Sequence, residues 1–268
     1  MTAGSNPVPS ATTQHDMPDL NQSDRPKAAL IIGAKRVGQV VAHRLAQDGI
    51  NLAIAYRSSA DEAQQLADSI TSVDTTLIQA DLSDELQANS AVKETIGALG
   101  GIDYVINLAS DYPYAPFDSL DGAAWDRAMA TAKGSYLVGV EAARNMRRNP
   151  GPNRGHIIFF GDWAAEETPY NDYLPYLTAK AAIHFMTRCL AAEVAPFGVR
   201  VNAVAPGPTM RPPEITPVDW NRAIAAKAPL QQESSVNDIA EIIATLLQTS
   251  SVTGEIIRVD SGRHIRGV

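Results

Sequence analysis

The chain has 268 residues, 45% of them hydrophobic and 19% charged, with a formal net charge of −8. That is ample apolar material for a large α/β core, and the acidic balance argues against a nucleic-acid or anionic-membrane partner. Cys189 is the only cysteine, which rules out an intrachain disulfide and suits a reducing, cytoplasmic setting. No apolar run is long enough for a membrane span. The histidines His15, His43, His156, His184 and His264 form no ligand-spaced pair, so no metal site is expected.

Residues 1–25 are rich in Ser, Thr, Asn, Asp, Gln and Pro and carry no apolar period, the signature of a disordered tail. They lack the basic start and apolar core of an export signal. From Lys27 the pattern changes. Strands are expected at Ala28 to Ile32, Asn51 to Ala55, Thr75 to Ala80, Asp103 to Asn107, His156 to Phe160, Val199 to Ala205 and Ile256 to Val259. Between them run helical patterns at Val37 to Gln47, Ala60 to Ile70, Asp84 to Leu99, Ala123 to Arg147, Tyr176 to Val194 and Asn237 to Leu247. Strands that read as nearly continuous apolar runs, alternating with helices, predict a parallel sheet covered on both faces. Right-handed crossovers then give one doubly wound, Rossmann-type α/β domain over residues 26–268, with seven strands. Met210 to Lys227 carries Pro212, Pro213 and Pro217 ahead of a short helix, a composition that suits a mobile cover.

The chemistry gathers at the expected strand ends. The first strand runs into Gly33-Ala34-Lys35-Arg36-Val37-Gly38, where glycines let the backbone turn tightly beneath a pyrophosphate at a helix N-terminus. Two glycines make a weak motif, and its position after the first strand carries the argument. The second strand ends in Tyr56-Arg57-Ser58-Ser59. A carboxylate there would hold a ribose 2′-hydroxyl; an arginine and two hydroxyls suit a 2′-phosphate, hence NADP(H). The competing reading is an exposed arginine beside a helix-capping serine. Asp81-Leu82 closes the third strand, where the carboxylate can accept from an adenine amino group. Asn107-Leu108-Ala109-Ser110 closes the fourth, with small residues where a ribose needs space.

Tyr176 and Lys180 stand four residues apart in a helical pattern and so share one face. An ammonium beside a phenol favours phenolate, so the tyrosine pKa is expected to fall from about 10 toward the working pH. Such a tyrosine can serve as a general acid.

Together these stretches resemble the short-chain dehydrogenase/reductase family from about Lys27 to Gly262. The glycine turn, Asp81-Leu82, Asn107 to Ser110, Tyr176-x-x-x-Lys180, Pro206-Gly207 and the final Val259 to Gly262 follow in the family's order. The resemblance implies that Tyr176 donates a proton, that Lys180 holds the nicotinamide ribose, and that NADPH supplies a hydride. It places cofactor contacts at Gly33, Lys35, Arg36, Val37, Tyr56, Arg57, Ser58, Ser59, Asp81, Leu82, Asn107, Ala109, Ser110, Tyr176, Lys180, Pro206 and Gly207. It also implies a homotetramer built on the two long central helices.

Within that family the chain is most similar to the pteridine reductases, through Lys35 to Gly38, Tyr56 to Ser59, Ser110-Asp111-Tyr112, Asp162 and Pro229 to Gln232. Arg36, Ser110, Tyr112, Asp162 and Tyr176 are then the expected substrate residues, with Asp162 joining Tyr176 and Lys180 as catalytic. The likeness has departures. The glycine turn is one residue short, Thr131 stands where the family has a helix asparagine, the stretch from Asp162 to Tyr176 is one residue long, and Ser261 replaces a glycine. Most members carry a serine at Asp162, able to donate to a carbonyl oxygen. A carboxylate only accepts, which suits a substrate with N–H donors or a C=N bond. The alternatives are a turn-capping Asp162, a carbonyl reductase of 3-oxoacyl type, and a dinucleotide-binding sensor without turnover.

Overall fold

In a computed structural model, residues 25–33, 35–211 and 214–266 are described. The expected tail lies outside them except for Arg25, which donates to Asp103 Oδ2 at 2.6 Å. Asp103 also accepts from Lys27 Nζ and the Ala28 N–H, both at 2.9 Å, so one buried carboxylate ties down the start of the first strand.

Among the described residues the apolar runs form seven strands: Ala28–Ile32 (β1), Asn51–Tyr56 (β2), Thr75–Gln79 (β3), Tyr104–Asn107 (β4), Gly155–Phe160 (β5), Val199–Pro206 (β6) and Ile256–Val259 (β7). All pair in parallel, in the order β3-β2-β1-β4-β5-β6-β7. Every residue of β1 and β6 is buried, which is why neither strand shows a polar alternation. Strand residues point alternately to two cores. Leu30, Ile32 and Phe159 pack on the helices Glu85–Leu99 (α3), Gly122–Met146 (α4) and Leu174–Val194 (α5). Ala29, Ile31 and Leu52 pack on Val37–Gln47 (α1), Ala60–Ser69 (α2) and Val236–Gln248 (α7).

Helix ends follow local chemistry. Asp84, Asp121 and Ser235 accept backbone N–H groups at the starts of α3, α4 and α7. Buried Arg200 of β6 reaches the last carbonyls of α7, at Leu246 (3.1 Å) and Leu247 (3.4 Å). The short helix expected after Pro217 is Pro217–Ala223 (α6), followed by a 3₁₀ turn at Ala225–Lys227; Pro212 and Pro213 lie outside the described residues. A final turn of helix, Arg263–Arg266 (α8), was not expected from the sequence. No helix among the described residues is long and apolar enough to cross a membrane.

The strand order reverses between β1 and β4, the place where open α/β sheets bind ligands. Next to it, α4 packs closely on β5 and α5 because Gly139 lacks a side chain: a Cβ there would lie 2.7 Å from the Phe159 ring and 3.2 Å from Leu190 Cδ2. Gly139→Ala gains helix propensity but overpacks a fully buried contact. It should lower stability by about 1–2 kcal/mol in urea unfolding, net of roughly 1 kcal/mol from propensity.

Candidate active site

A cavity of about 830 Å³ opens along the carboxyl ends of β1 to β6. Of the residues expected at the site, Gly33, Lys35, Arg36, Val37, Tyr56, Arg57, Ser58, Ser59, Asp81, Leu82, Asn107, Ala109, Ser110, Tyr112, Asp162, Tyr176, Pro206 and Gly207 all line it. Lys180 does not. It lies beneath the floor, 1% exposed.

The glycine turn is dictated by backbone. Gly33 has φ +94°, and a Cβ on Gly38 would sit 1.8 Å from the Gly33 carbonyl oxygen, so no side chain fits there. Arg36 adopts φ 55° despite its side chain and donates to the Met210 carbonyl at 3.3 Å. The shortened turn thus aims Arg36 across the cavity toward the segment that carries α6. Lys35 turns the other way and pairs with Glu62 Oε1 at 2.6 Å.

At the end of β2, Arg57 and Ser58 are exposed and Ser59 is half-buried. Ser59 occupies the N-cap position of α2 but makes no capping hydrogen bond, so its hydroxyl is uncommitted. With Lys35 this corner can hold a doubly charged phosphate. Asp81 accepts from the Ser83 hydroxyl (2.8 Å) and N–H (3.0 Å), and these bonds hold its pKa below the usual carboxylate range. Asn107 is buried; its amide donates to Ser135 Oγ at 3.1 Å and its oxygen accepts the Ala109 N–H. Ser135 donates in turn to the Thr131 carbonyl, and Thr131 lines the cavity.

Tyr176 and Asp162 meet at the centre. Both are buried, and the phenol donates to Asp162 Oδ2 at 2.7 Å. Asp162 Oδ1 accepts the Ala164 N–H at 2.9 Å, which fixes the carboxyl plane; Tyr170 reaches Oδ2 at 3.5 Å. The lysine does not touch the phenol. Its ammonium donates to the Phe160 carbonyl at 2.7 Å and lies 5.7 Å from the Tyr176 ring centroid. The expected depression of the Tyr176 pKa is therefore reversed. Burial and the adjacent carboxylate push it well above its ordinary value. Burial raises Asp162 as well, against the Ala164 N–H and the phenol, and lowers Lys180 to about 8.

Tyr170 and Arg263 line the cavity without having been expected there, and Tyr173 packs against the lining tyrosines. Tyr173 stacks on Tyr112 with centroids 4.2 Å apart, Tyr112 meets Tyr176 edge-on at 4.9 Å, and Tyr170 packs on Tyr173 at 5.3 Å. The three-residue spacing of Tyr170, Tyr173 and Tyr176 was the available signal. Arg263 lies over Trp163, with its guanidinium 5.6 Å from the ring, and donates to the Ile224 carbonyl. Trp220, Ile224 and Lys227 close the outer wall. Among the described residues, no group of three acidic, histidine or cysteine side chains could hold a metal.

A family model described as enoyl-(acyl carrier protein) reductase matches residues 33–264. The chain belongs to the short-chain dehydrogenase/reductase family. It is 32% identical to an uncharacterised oxidoreductase of Mycobacterium tuberculosis over 90% of this chain and 98% of that one. It is 28% identical to a putative ketoacyl reductase of the granaticin polyketide synthase of Streptomyces violaceoruber, over 91% and 99% of the two chains. Among solved structures it superposes on the FolM alternative dihydrofolate reductase 1 of Brucella suis, in complex with NADP. That match has a TM-score of 0.81 at 28% identity and covers 92% of this chain and 98% of that one.

Lys180 makes the folded chain hold fewer protons than the unfolded chain between its value of about 8 and the ordinary lysine value of about 10.4. The cost of burying the ammonium is complete below that window and is relieved as pH rises through it. Lys180→Met should therefore melt above the wild type at neutral pH, and the difference should shrink as melts are repeated at rising pH through the window.

Proposed function

We propose that this protein is an NADPH-dependent reductase of a pterin-like substrate, such as a dihydropteridine or dihydrofolate, or of a related flat nitrogen heterocycle. The observation that carries the reading is the buried 2.7 Å contact between Tyr176 and Asp162. A carbonyl gaining negative charge would be repelled by an ionised Asp162. A ring that offers N–H donors, or a C=N nitrogen that must be protonated, is served by it. Tyr112, half exposed on the cavity lip and stacked on Tyr173, offers an aromatic surface to a flat ring. The Brucella structure carries a dihydrofolate reductase name, which supports the same substrate class.

The residues at the end of β2 fit NADP(H): Arg57, Ser58 and the uncommitted Ser59 hydroxyl stand where a carboxylate would otherwise meet the ribose. When bound, the cofactor supplies a hydride. Gly33, Arg36, Val37 and Gly38 form the pyrophosphate turn, Asp81 and Leu82 the adenine wall, and Asn107, Ala109, Ser110, Pro206 and Gly207 the nicotinamide end. Lys180 supports the ribose side of that end from beneath the floor, through the Phe160 carbonyl; Tyr176 delivers the proton, and the phenolate is reprotonated by a solvent proton taken up through the Asp162 carboxylate. Ser110, Arg36 and Tyr112 frame the substrate. The exposed Trp125 and Tyr136 of α4 and Leu174 and Phe185 of α5 support a homotetramer packed through these helices.

The competing reading is a 3-oxoacyl-type carbonyl reductase, supported by the name of the Streptomyces relative. NADPH oxidation with dihydrobiopterin, dihydrofolate and simple ketones separates the two. Wild type should turn over the pterins and not the ketones, and Asp162→Ser should gain ketone turnover as it loses pterin turnover. Ketone reduction by the wild type would overturn the reading. Arg57→Ala should weaken NADPH binding by about 10- to 100-fold, the cost of a charge-assisted phosphate contact, and leave NADH binding unchanged in fluorescence titrations.

A further inference from the structure

Tyr176, Lys180 and His184 follow one another at four-residue steps, so α5 presents three buried functional side chains in a row toward the end of β5. The first two belong to the site already described. We propose that the third, His184, is a positioning residue that sets the Asp162 carboxyl against Tyr176. The inference rests on the pairing of those two groups as the proton-delivering unit.

The geometry assigns the tautomer. The Asp162 backbone N–H donates to His184 Nε2 at 3.3 Å, so that nitrogen is the unprotonated one. The ring proton then sits on Nδ1, which faces Glu166 Oε1 at 3.3 Å. Glu166 is itself held by Arg188 at 2.6 Å and by Arg258 of β7 at 3.4 Å. The ring is 1% exposed, and burial drives its pKa down to about 4 against the pull of Glu166, with Lys180 and Arg188 acting in the same direction as burial. His184 is thus a neutral acceptor at any ordinary working pH, a fixed prop and not a switch.

The strand end is shaped to meet that prop. A Cβ on Gly161 would lie 2.1 Å from His184 Nε2, so only glycine lets the backbone close onto the ring. Asp162 is then held at three points: its N–H on His184, its Oδ1 on the Ala164 N–H, and its Oδ2 on the phenol. Removing the ring acceptor orphans a buried N–H, and the turn from Gly161 to Ala164 must shift to satisfy it. The atom displaced by that shift is Oδ2.

The test compares His184→Met, which fills the space without a comparable acceptor, with His184→Gln, whose amide oxygen can accept and whose amide nitrogen can face Glu166. Dihydrobiopterin turnover, NADPH binding and the pH–rate profile are measured for both, with Asp162→Asn alongside. His184→Met should lower kcat by about 10- to 100-fold, as a misplaced catalytic group does. It should bind NADPH as the wild type does and lose the wild-type pH dependence, and His184→Gln should recover both rate and profile. If His184→Met does not fold, the folded Gln variant decides: near-wild-type turnover supports the proposal, and inactivity contradicts it. Unchanged kcat in His184→Met, alongside loss of activity in Asp162→Asn, would overturn the role of His184 alone. Full activity in Asp162→Asn would instead overturn the proton-delivery reading and this inference with it.

Discussion

The site depends on a carboxyl group and a phenol placed 2.7 Å apart in a pocket that shelters both. Burial disfavours a second negative charge there, so the pair holds a proton between two oxygens instead of ionising twice. It titrates as a unit, and its behaviour belongs to neither residue alone. Lys180 acts at one remove: its ammonium grips the Phe160 carbonyl, at the strand end that leads into Asp162. The helix therefore presents the phenol, and the strand end presents its partner.

The sheet makes that meeting possible. Parallel strands bring every carboxyl end to one edge, and the reversal of order at β1 and β4 opens that edge into a crevice. The glycine turn, the Arg57 corner, the Asn107–Ser135 link and Asp162 come from different strands yet face one cavity. Tyrosines at 112, 170, 173 and 176 pack into one aromatic cluster, which keeps water from the phenol and leaves a flat surface at the lip. The segment bearing α6 closes the far side, tied to the glycine turn through Arg36 and Met210.

Much of this was legible in the residues because it is local. Apolar runs such as Ala28–Ile32 and Val199–Pro206 mark fully buried strands, and the caps Asp84 and Asp121 account for the small differences at helix starts. The Tyr176–Lys180 spacing and the motif order pointed to the sheet edge along which the cavity opens. What could not be read was side-chain direction across long sequence separations. The ammonium was expected to govern the phenol, yet it turns to a carbonyl twenty residues earlier in the chain, and a carboxylate fourteen residues away takes its place. His184 keeps the four-residue step of Tyr176 and Lys180, but its partner Asp162, like the Trp163 partner of Arg263, lies in a loop that no spacing connects to the helix.

Single-turnover hydride transfer from bound NADPH to a dihydropterin, followed by stopped flow across pH in the wild type and in Asp162→Asn, reaches the shared proton most directly. The wild-type rate should fall as pH rises through an apparent pKa above the ordinary carboxylate value, and the variant should show a slow, flat profile. The same rate and the same pH dependence in both proteins would contradict a proton shared by the pair.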